Sequence, residues 1–276
     1  MKYCTRTMKG IASGTLALAL YSTAGLAQDK PSFIAEDKLV ICVDPTFPPM
    51  GFMDESGSGE PVGFDPDLSM ALAKHWGVDI KFVRMDFTGL LPSLEAGRCG
   101  AVISGATLTA KRQESFDGIP YLDTNYVIAA RADAGVFENE TDLADKTIAV
   151  QAGTTYFDRL QEINSRLEAA GLKPMKIQQY PKQSDAIQQL LVNRADGVAT
   201  QDTEVAYREM QTPNQFKTVW TIKTDVASPF AIYIRPNKQD KESVTAALVS
   251  LANDGTLAEV AEKWKLDPAK VDAARK

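Results

Sequence analysis

Histidine is almost absent from this chain: His75 is the only one. It lies between Lys74 and Trp76 near a helix end and reads as a surface side chain. With no second imidazole there is no cluster of metal-ligand spacing, so no metal is expected. A Ser-His-Asp arrangement would have to use His75 far from any candidate nucleophile, and no glycine-rich phosphate loop is present. No catalytic constellation and no cofactor site follow. Long apolar runs are missing too. The best stretch, Ile11 to Leu20, is too short for a membrane span and is broken by Ser13, Gly14 and Thr15. Basic excess is also lacking: 30 Lys and Arg face 36 Asp and Glu, a net charge of −6. Such a surface repels phosphate backbones and anionic lipid heads, which argues against nucleic-acid binding and direct membrane insertion.

What remains is ordinary globular composition, 44% apolar and 24% charged, in a chain of 276 residues with room for two lobes. Its first residues differ from the rest. Lys2, Arg6 and Lys9 precede the apolar stretch, and Ala24-Gly25-Leu26-Ala27 ends it in small residues, the pattern of a secretory leader over residues 1–27 cleaved after Ala27. No Cys follows the cleavage point, so a lipid anchor is not expected, and the mature chain should be an exported monomer in the periplasm. Cys4 leaves with the leader. Cys42 and Cys99 could then pair in an oxidising compartment. Cys42 is late in its strand, however, whereas Cys99 precedes a strand from Ala101. If those strands are parallel neighbours the sulfurs are offset, and two buried thiols are expected.

Along the chain, strand-turn-helix units recur. Leu39 to Val43 is a continuous apolar run that ends in the stiff turn Asp44-Pro45-Thr46-Phe47-Pro48-Pro49. Loops after parallel strands lie where open α/β folds bind ligands, so Asp44 and Phe47 are pocket candidates, with a turn-forming Asp and a core Phe as the plainer alternatives. Asp65 reads as the N-cap of a helix with Pro66 at its first position and Leu68, Leu72 and Trp76 inward. Ala101 to Ile103 hands over at Ser104-Gly105-Ala106-Thr107-Leu108-Thr109 to a helix capped by Thr109, with Arg112 in its first turn. A cation is poorly placed there unless something negative offsets it. Hydroxyls, free N–H groups, small residues and a guanidinium together describe a carboxylate-sized anion site, although Arg112 could equally pair with Glu114 or Asp117. Thr147 to Val150 opens a similar unit with Gln151 and then Gly153-Thr154-Thr155 at a helix start, a second place for an anion. A short strand from Gly197 leads to Asp202, which could cap the helix from Thr203.

The run Gly63-Phe64-Asp65-Pro66-Asp67-Leu68 resembles the signature of the extracellular solute-binding proteins of the polar amino-acid family, the periplasmic receptors of ABC importers. Asp44-Pro45-Thr46-Phe47 is similar to the Asp-Pro-Thr-Tyr of histidine and lysine/arginine/ornithine binders, Ser104 to Arg112 to their Ser-Ser-Leu-Ser-Ile-Thr followed by Lys-Arg, and Arg194 to Asp202 to Arg-x-Asp-Ala-x-x-x-Asp. Gly105 stands where the family has a Ser. The resemblance implies an α/β fold of the two-lobed periplasmic-binding-protein type (type II), with a ligand cleft between lobes joined by two crossings. Lobe one would comprise residues 28–130 and 224–276, and lobe two residues 131–223, with the first crossing in the loop-like stretch from Asp133 to Asp145. The implied function is capture of a free amino acid, polar or basic, for the permease subunits of an ABC importer. It further implies that Arg112 grips the ligand carboxylate with Ser104, Gly105, Thr107 and Thr155, that Asp202 receives the ammonium, and that Phe87 stacks on the side chain. Asp44, Phe47 and Gln151 would line the rest. The alternative on the same fold is an enzyme similar to cyclohexadienyl dehydratases, in which a pocket acid performs elimination.

Overall fold

The computed structural model describes residues 1–3, 30–53, 59–135, 137–224 and 228–275. Apart from its first three residues, the expected leader lies outside them. The chain first runs through β1 (Lys38–Val43), β2 (Thr46–Phe47), β3 (Gly51–Met53), β4 (Pro61–Val62), α1 (Phe64–Trp76), β5 (Asp79–Arg84), α2 (Leu90–Glu95), β6 (Ala101–Val102), α3 (Ala110–Gln113) and β7 (Asp117–Leu122). It continues through β8 (Tyr126–Arg131), β9 (Thr147–Gln151), α4 (Tyr156–Ala169), β10 (Lys176–Tyr180), α5 (Gln183–Leu191), β11 (Gly197–Gln201), α6 (Asp202–Gln211) and β12 (Phe216–Thr221). β13 (Phe230–Ile234), α7 (Lys238–Asn253) and α8 (Thr256–Lys263) follow. No helix among the described residues is long and apolar enough to cross a membrane.

Two five-stranded sheets form the lobes, one ordered β5-β1-β6-β13-β7 and the other β10-β9-β11-β8-β12. β1 is parallel to β5 and β6, and the returning β13 runs antiparallel between β6 and β7. In the second sheet β9 is parallel to β10 and β11, and β8 is antiparallel to β11 and β12. Each sheet is buried on both faces, which is why its central strands read as unbroken apolar runs. On one face of the first sheet, Leu68, Leu72 and Trp76 of α1 join Val244, Leu248 and Leu257 of the closing helices. α4 covers one face of the second sheet through Leu160, Ile163 and Leu167, and α5 covers the other through Ala186, Ile187 and Leu190.

The structure moves several sequence-based boundaries. β8 belongs to the second sheet, so the chain leaves the first sheet between Leu122 and Tyr126, not after residue 130. An apolar run shows that a strand is buried but not which sheet buries it, and the loop-rich stretch from Asp133 to Asp145 connects strands within one sheet. α1 starts two residues earlier than expected, with Gly63 at its N-cap position and Asp65 inside the first turn. Gly63 adopts φ 135°, and a Cβ there would lie 2.5 Å from the Met50 carbonyl oxygen, so only glycine fits. Asp202 likewise opens α6 as its first residue while Gln201 holds the cap position.

Cys42 and Cys99 form a disulfide, contrary to the two buried thiols expected, with Cα atoms 5.7 Å apart. In register, Cys42 lies opposite Val102, so a straight strand would carry Cys99 roughly 10 Å away. β6 is only two residues long, and the chain before it turns back under β1, where Gly100 N donates to Val40 O (2.8 Å). Arg235 pins that turn by donating to Leu94 O (2.7 Å) and Cys99 O (2.9 Å). Both sulfurs are buried with Leu90 and Leu94.

Because the bridge closes a loop with a sequence separation of 57, removing it should cost ~2–5 kcal/mol. A Cys42→Ala/Cys99→Ala double variant should therefore unfold at lower denaturant concentration than the oxidised protein. Thiol titration of the unfolded, unreduced mature chain should find no free cysteine. An unchanged denaturation midpoint would contradict the bridge.

Candidate functional site

The site is assembled from the carboxyl ends of parallel strands, the edge at which open α/β sheets bind ligands. β1 delivers Asp44, and β6 delivers the Ser104–Thr107 loop that leads to Arg112. From the opposite sheet β9 delivers Gln151 and the Gly153–Thr155 turn, and β11 delivers Gln201.

The Ser104–Thr107 loop is held from below. The Asp65 carboxylate accepts from Gly105 N (2.7 Å) and from the Tyr121 hydroxyl (2.6 Å), and Ser104 Oγ accepts from Asp44 N (2.8 Å). Gly105 has φ 55°, and a Cβ there would come within 2.8 Å of the Phe47 ring, so any side chain at this position would be strained and crowded. Phe47 itself is buried edge-on against Phe230, with ring centroids 6.0 Å apart. It belongs to the lobe-one core.

Thr109 caps α3 as expected, accepting from Arg112 N at 3.2 Å. The Arg112 guanidinium is held by neutral oxygens. Nη1 donates to Thr107 O (2.9 Å), and Nη2 crosses to Gly153 O of the other lobe (3.3 Å). Its carbon lies 5.6 Å from the Phe87 ring centre and 5.9 Å from that of Tyr233. Asp117, one of the acids that could have taken this cation, pairs with Lys241 instead. Thr107 Oγ1 meets Thr155 Oγ1 across the cleft at 3.2 Å, and Thr155 Oγ1 also meets the Tyr126 hydroxyl at 2.8 Å. Beside this cluster lies a cavity of about 330 Å³ walled by Phe87, Leu90, Leu91, Ala106, Arg112 and Gly153. Phe87 and the cation thus line the same cavity.

Asp44 is 2% exposed. One oxygen accepts from Gln151 Nε2 (2.5 Å) across the cleft, and the other is buried without a partner. Desolvation by burial pushes its pKa up to about 6, against the hydrogen bonds from Thr46 and Gln151. Desolvation raises Asp65 to about 7 despite its two donors.

Asp202 is placed differently from the expectation. Its carboxylate accepts from Thr124 Oγ1 (2.9 Å), Asn125 N (3.3 Å), Asn125 Nδ2 (3.0 Å) and Lys270 Nζ (2.6 Å). Four donors use the four acceptor positions of a carboxylate. Desolvation opposes ionisation, but Lys270 and the hydrogen bonds from Asn125 and Thr124 hold the group below the usual carboxylate range. Asp202 is therefore a fastener beside the crossing between lobes, without an oxygen to spare for an ammonium. The neighbouring strand-end residue, Gln201, is 1% exposed and accepts from the Tyr156 hydroxyl. Sequence reasoning missed Gln201, Tyr126, Tyr156, Tyr233 and Lys270. Only Gln201 left a signal, as the eighth position of the run from Arg194.

Residues 39–267 match the model of the bacterial extracellular solute-binding proteins, family 3. The ABC transporter arginine-binding protein 1 of Escherichia coli (strain K12) is 31% identical over 83% of this chain and 91% of its own length. An ancestral arginine-binding protein, solved bound to glutamine and bound to arginine, superposes with a TM-score of 0.72 at 33% identity, covering 83% of this chain and 98% of that one. An ancestral amino acid-binding protein described as a precursor of cyclohexadienyl dehydratase gives a TM-score of 0.72 at 28% identity, covering 83% and 95%.

The raised pKa values set a pH dependence. Asp44 and Asp65 hold their protons to higher pH when folded than when unfolded, so between about pH 4 and pH 7 the folded state binds more protons, and their contribution to stability falls as pH rises through that window. For Asp65 the rise from 3.8 to about 7 corresponds to on the order of 4 kcal/mol. Urea denaturation of Asp65→Asn at pH 4.5 and pH 8 should show less loss of stability across that interval than the wild type does. Equal slopes for the two proteins would refute the assignment.

Proposed function

Because the chain belongs to the bacterial extracellular solute-binding proteins, family 3, we propose that it captures a free amino acid with a polar or basic side chain between its lobes and presents it to the permease subunits of an ABC importer. The leader over residues 1–27 would export it to the periplasm, where it would work as a monomer. The observation that carries this reading is the Arg112 guanidinium, which stands between the lobes and donates to neutral oxygens of Thr107 and Gly153. A planar cation with open donor positions is suited to a bidentate carboxylate. Thr107 and Thr155 meet beside it from opposite lobes, so a carboxylate there gains contacts from both and favours the closed arrangement. Asp44, with a buried free oxygen, and Gln151 supply the polar end, and Phe47 and Phe87 supply aromatic walls.

Elimination chemistry is the second reading. It is favoured by Asp44, a buried acid whose pKa of about 6 suits proton transfer near neutrality, and by the likeness to the dehydratase precursor. Incubation with prephenate or arogenate should nevertheless yield no aromatic product.

Calorimetry on Arg112 variants tests the receptor reading. Loss of the guanidinium leaves the ligand carboxylate desolvated in a closed cleft, a cost of ~3–5 kcal/mol, so Arg112→Ala should lower affinity by roughly two to four decades. Arg112→Lys should also bind poorly, since an ammonium lacks the planar fork. Thr109→Ala removes the α3 cap at ~1 kcal/mol of stability and should spare affinity more. Folded Arg112→Ala that keeps near wild-type affinity would sink the proposal.

A further inference from the structure

The charges at the cleft permit a narrower statement about the ligand. Among the described residues, the acids buried in the two lobes are nearly all spent. Asp65 is used by Gly105 and Tyr121, Glu204 by Gln183, Thr200 and Arg208, and Asp240 by Ser32. Asp202, at the start of α6, has all four acceptor positions filled by Lys270, Thr124 and Asn125. Asp44 Oδ1 is the only buried carboxylate oxygen among these residues that lacks a partner.

The second lobe adds no charge to that inventory at its strand ends. β9 ends in Gln151 and β11 in Gln201, both carboxamides, and the groups around them are the hydroxyls of Tyr126, Thr155 and Tyr156. Tyr156 is close enough to Arg112 for the guanidinium charge to lower its pKa against burial, which pushes it up first and most. The buried part of the wall that faces Arg112 from lobe two is thus polar and neutral, while the exposed Asp158 and Glu162, with Arg159 paired to Glu162, line the outer side of the cavity beside it. Apart from the exposed Asp86 and Lys182, whose charges reach Asp44 from the rim, a ligand enclosed there finds one cation, Arg112, and one acid with a free oxygen, Asp44. A second ligand cation would be desolvated against dipoles alone.

We infer that the cleft selects a net-neutral zwitterion, with one carboxylate on Arg112 and a single cation on Asp44, and discriminates against amino acids that carry a second positive charge. This rests on the reading that Arg112 takes a carboxylate, and it narrows the polar-or-basic class to its uncharged side chains. The cation that Asp44 takes is either the α-ammonium of an amino acid with a neutral side chain or the terminal ammonium of an ω-amino acid. Asp44 and Gln201 are then the residues that set charge specificity.

Isothermal titration of the mature, oxidised protein with glutamine, 5-aminovalerate, arginine and lysine tests this. At least one of the two net-neutral ligands should bind tenfold or more tighter than both arginine and lysine, and whichever leads shows where the cation sits. Gln201→Glu, which places a carboxylate at the end of β11, should shift the ratio toward arginine or lysine by tenfold or more. Asp44→Asn should lose affinity for the preferred ligand. Wild-type binding led by arginine or lysine overturns the inference while leaving the amino-acid receptor intact. An unmoved preference in folded Gln201→Glu also overturns it. Binding of none of the four overturns the receptor reading and this one with it.

Discussion

The buried carboxylate of Asp65 holds the lobe-one half of the cleft in place. It lies in the first turn of α1, yet its partners are Gly105 N and the Tyr121 hydroxyl, 40 and 56 residues away in sequence. Without those bonds the Gly105 amide and the phenol would be buried and unpaired, and the acid itself would be uncompensated. Through them, α1, the loop after β6 and β7 share one geometry, and Thr107 and Arg112 inherit it. Tyr233 adds a strut from β13 by donating to Thr107 O at 2.6 Å. The carbonyl that positions Arg112 is therefore itself positioned.

The two lobes meet through groups that each lobe needs only when they touch. Gln151 reaches Asp44, Arg112 reaches Gly153, and Thr107 reaches Thr155. At the rim, Gln183 N donates to Thr46 Oγ1 (3.3 Å), and Phe52 lies between Tyr207 of one lobe and Trp264 of the other, at 5.9 and 5.6 Å. Beside the crossings, Asp202 and Lys270 form an ion pair at 2.6 Å with both side chains about a quarter exposed. Neutral hydrogen bonds contribute ~1 kcal/mol each, so the closed arrangement is held by many small terms, and a ligand that adds contacts on both sides has leverage over it.

Much of this was legible locally. The Thr109 cap, the apolar strands and the helix faces rest on interactions within a few residues, and they appear where the spacing placed them. Arg112 was singled out for a related reason: a cation in the first turn of a helix calls for a compensating anion, and its partners are neutral oxygens of Thr107 and Gly153. Asp202 was misjudged because an acid at a strand end has the same local appearance whether it faces a ligand or a lysine. Lys270 lies 68 residues away.

The sequence by itself determined the alternation of strands and helices, the positions of the loops that carry Asp44, Thr107, Arg112, Gln151 and Thr155, and through its motifs the family. Those depend on backbone propensity, capping and hydrophobic period, which act over one or two turns of chain. Tertiary structure alone decided that Cys42 meets Cys99, that β8 joins the second sheet, and that Asp65 supports the binding loop. It also decided that Asp202 is consumed beside the crossings while Asp44 keeps a free oxygen. Each is a pairing between residues distant in sequence, and the partner of a buried polar group is chosen by which side chains packing brings within 3 Å of it.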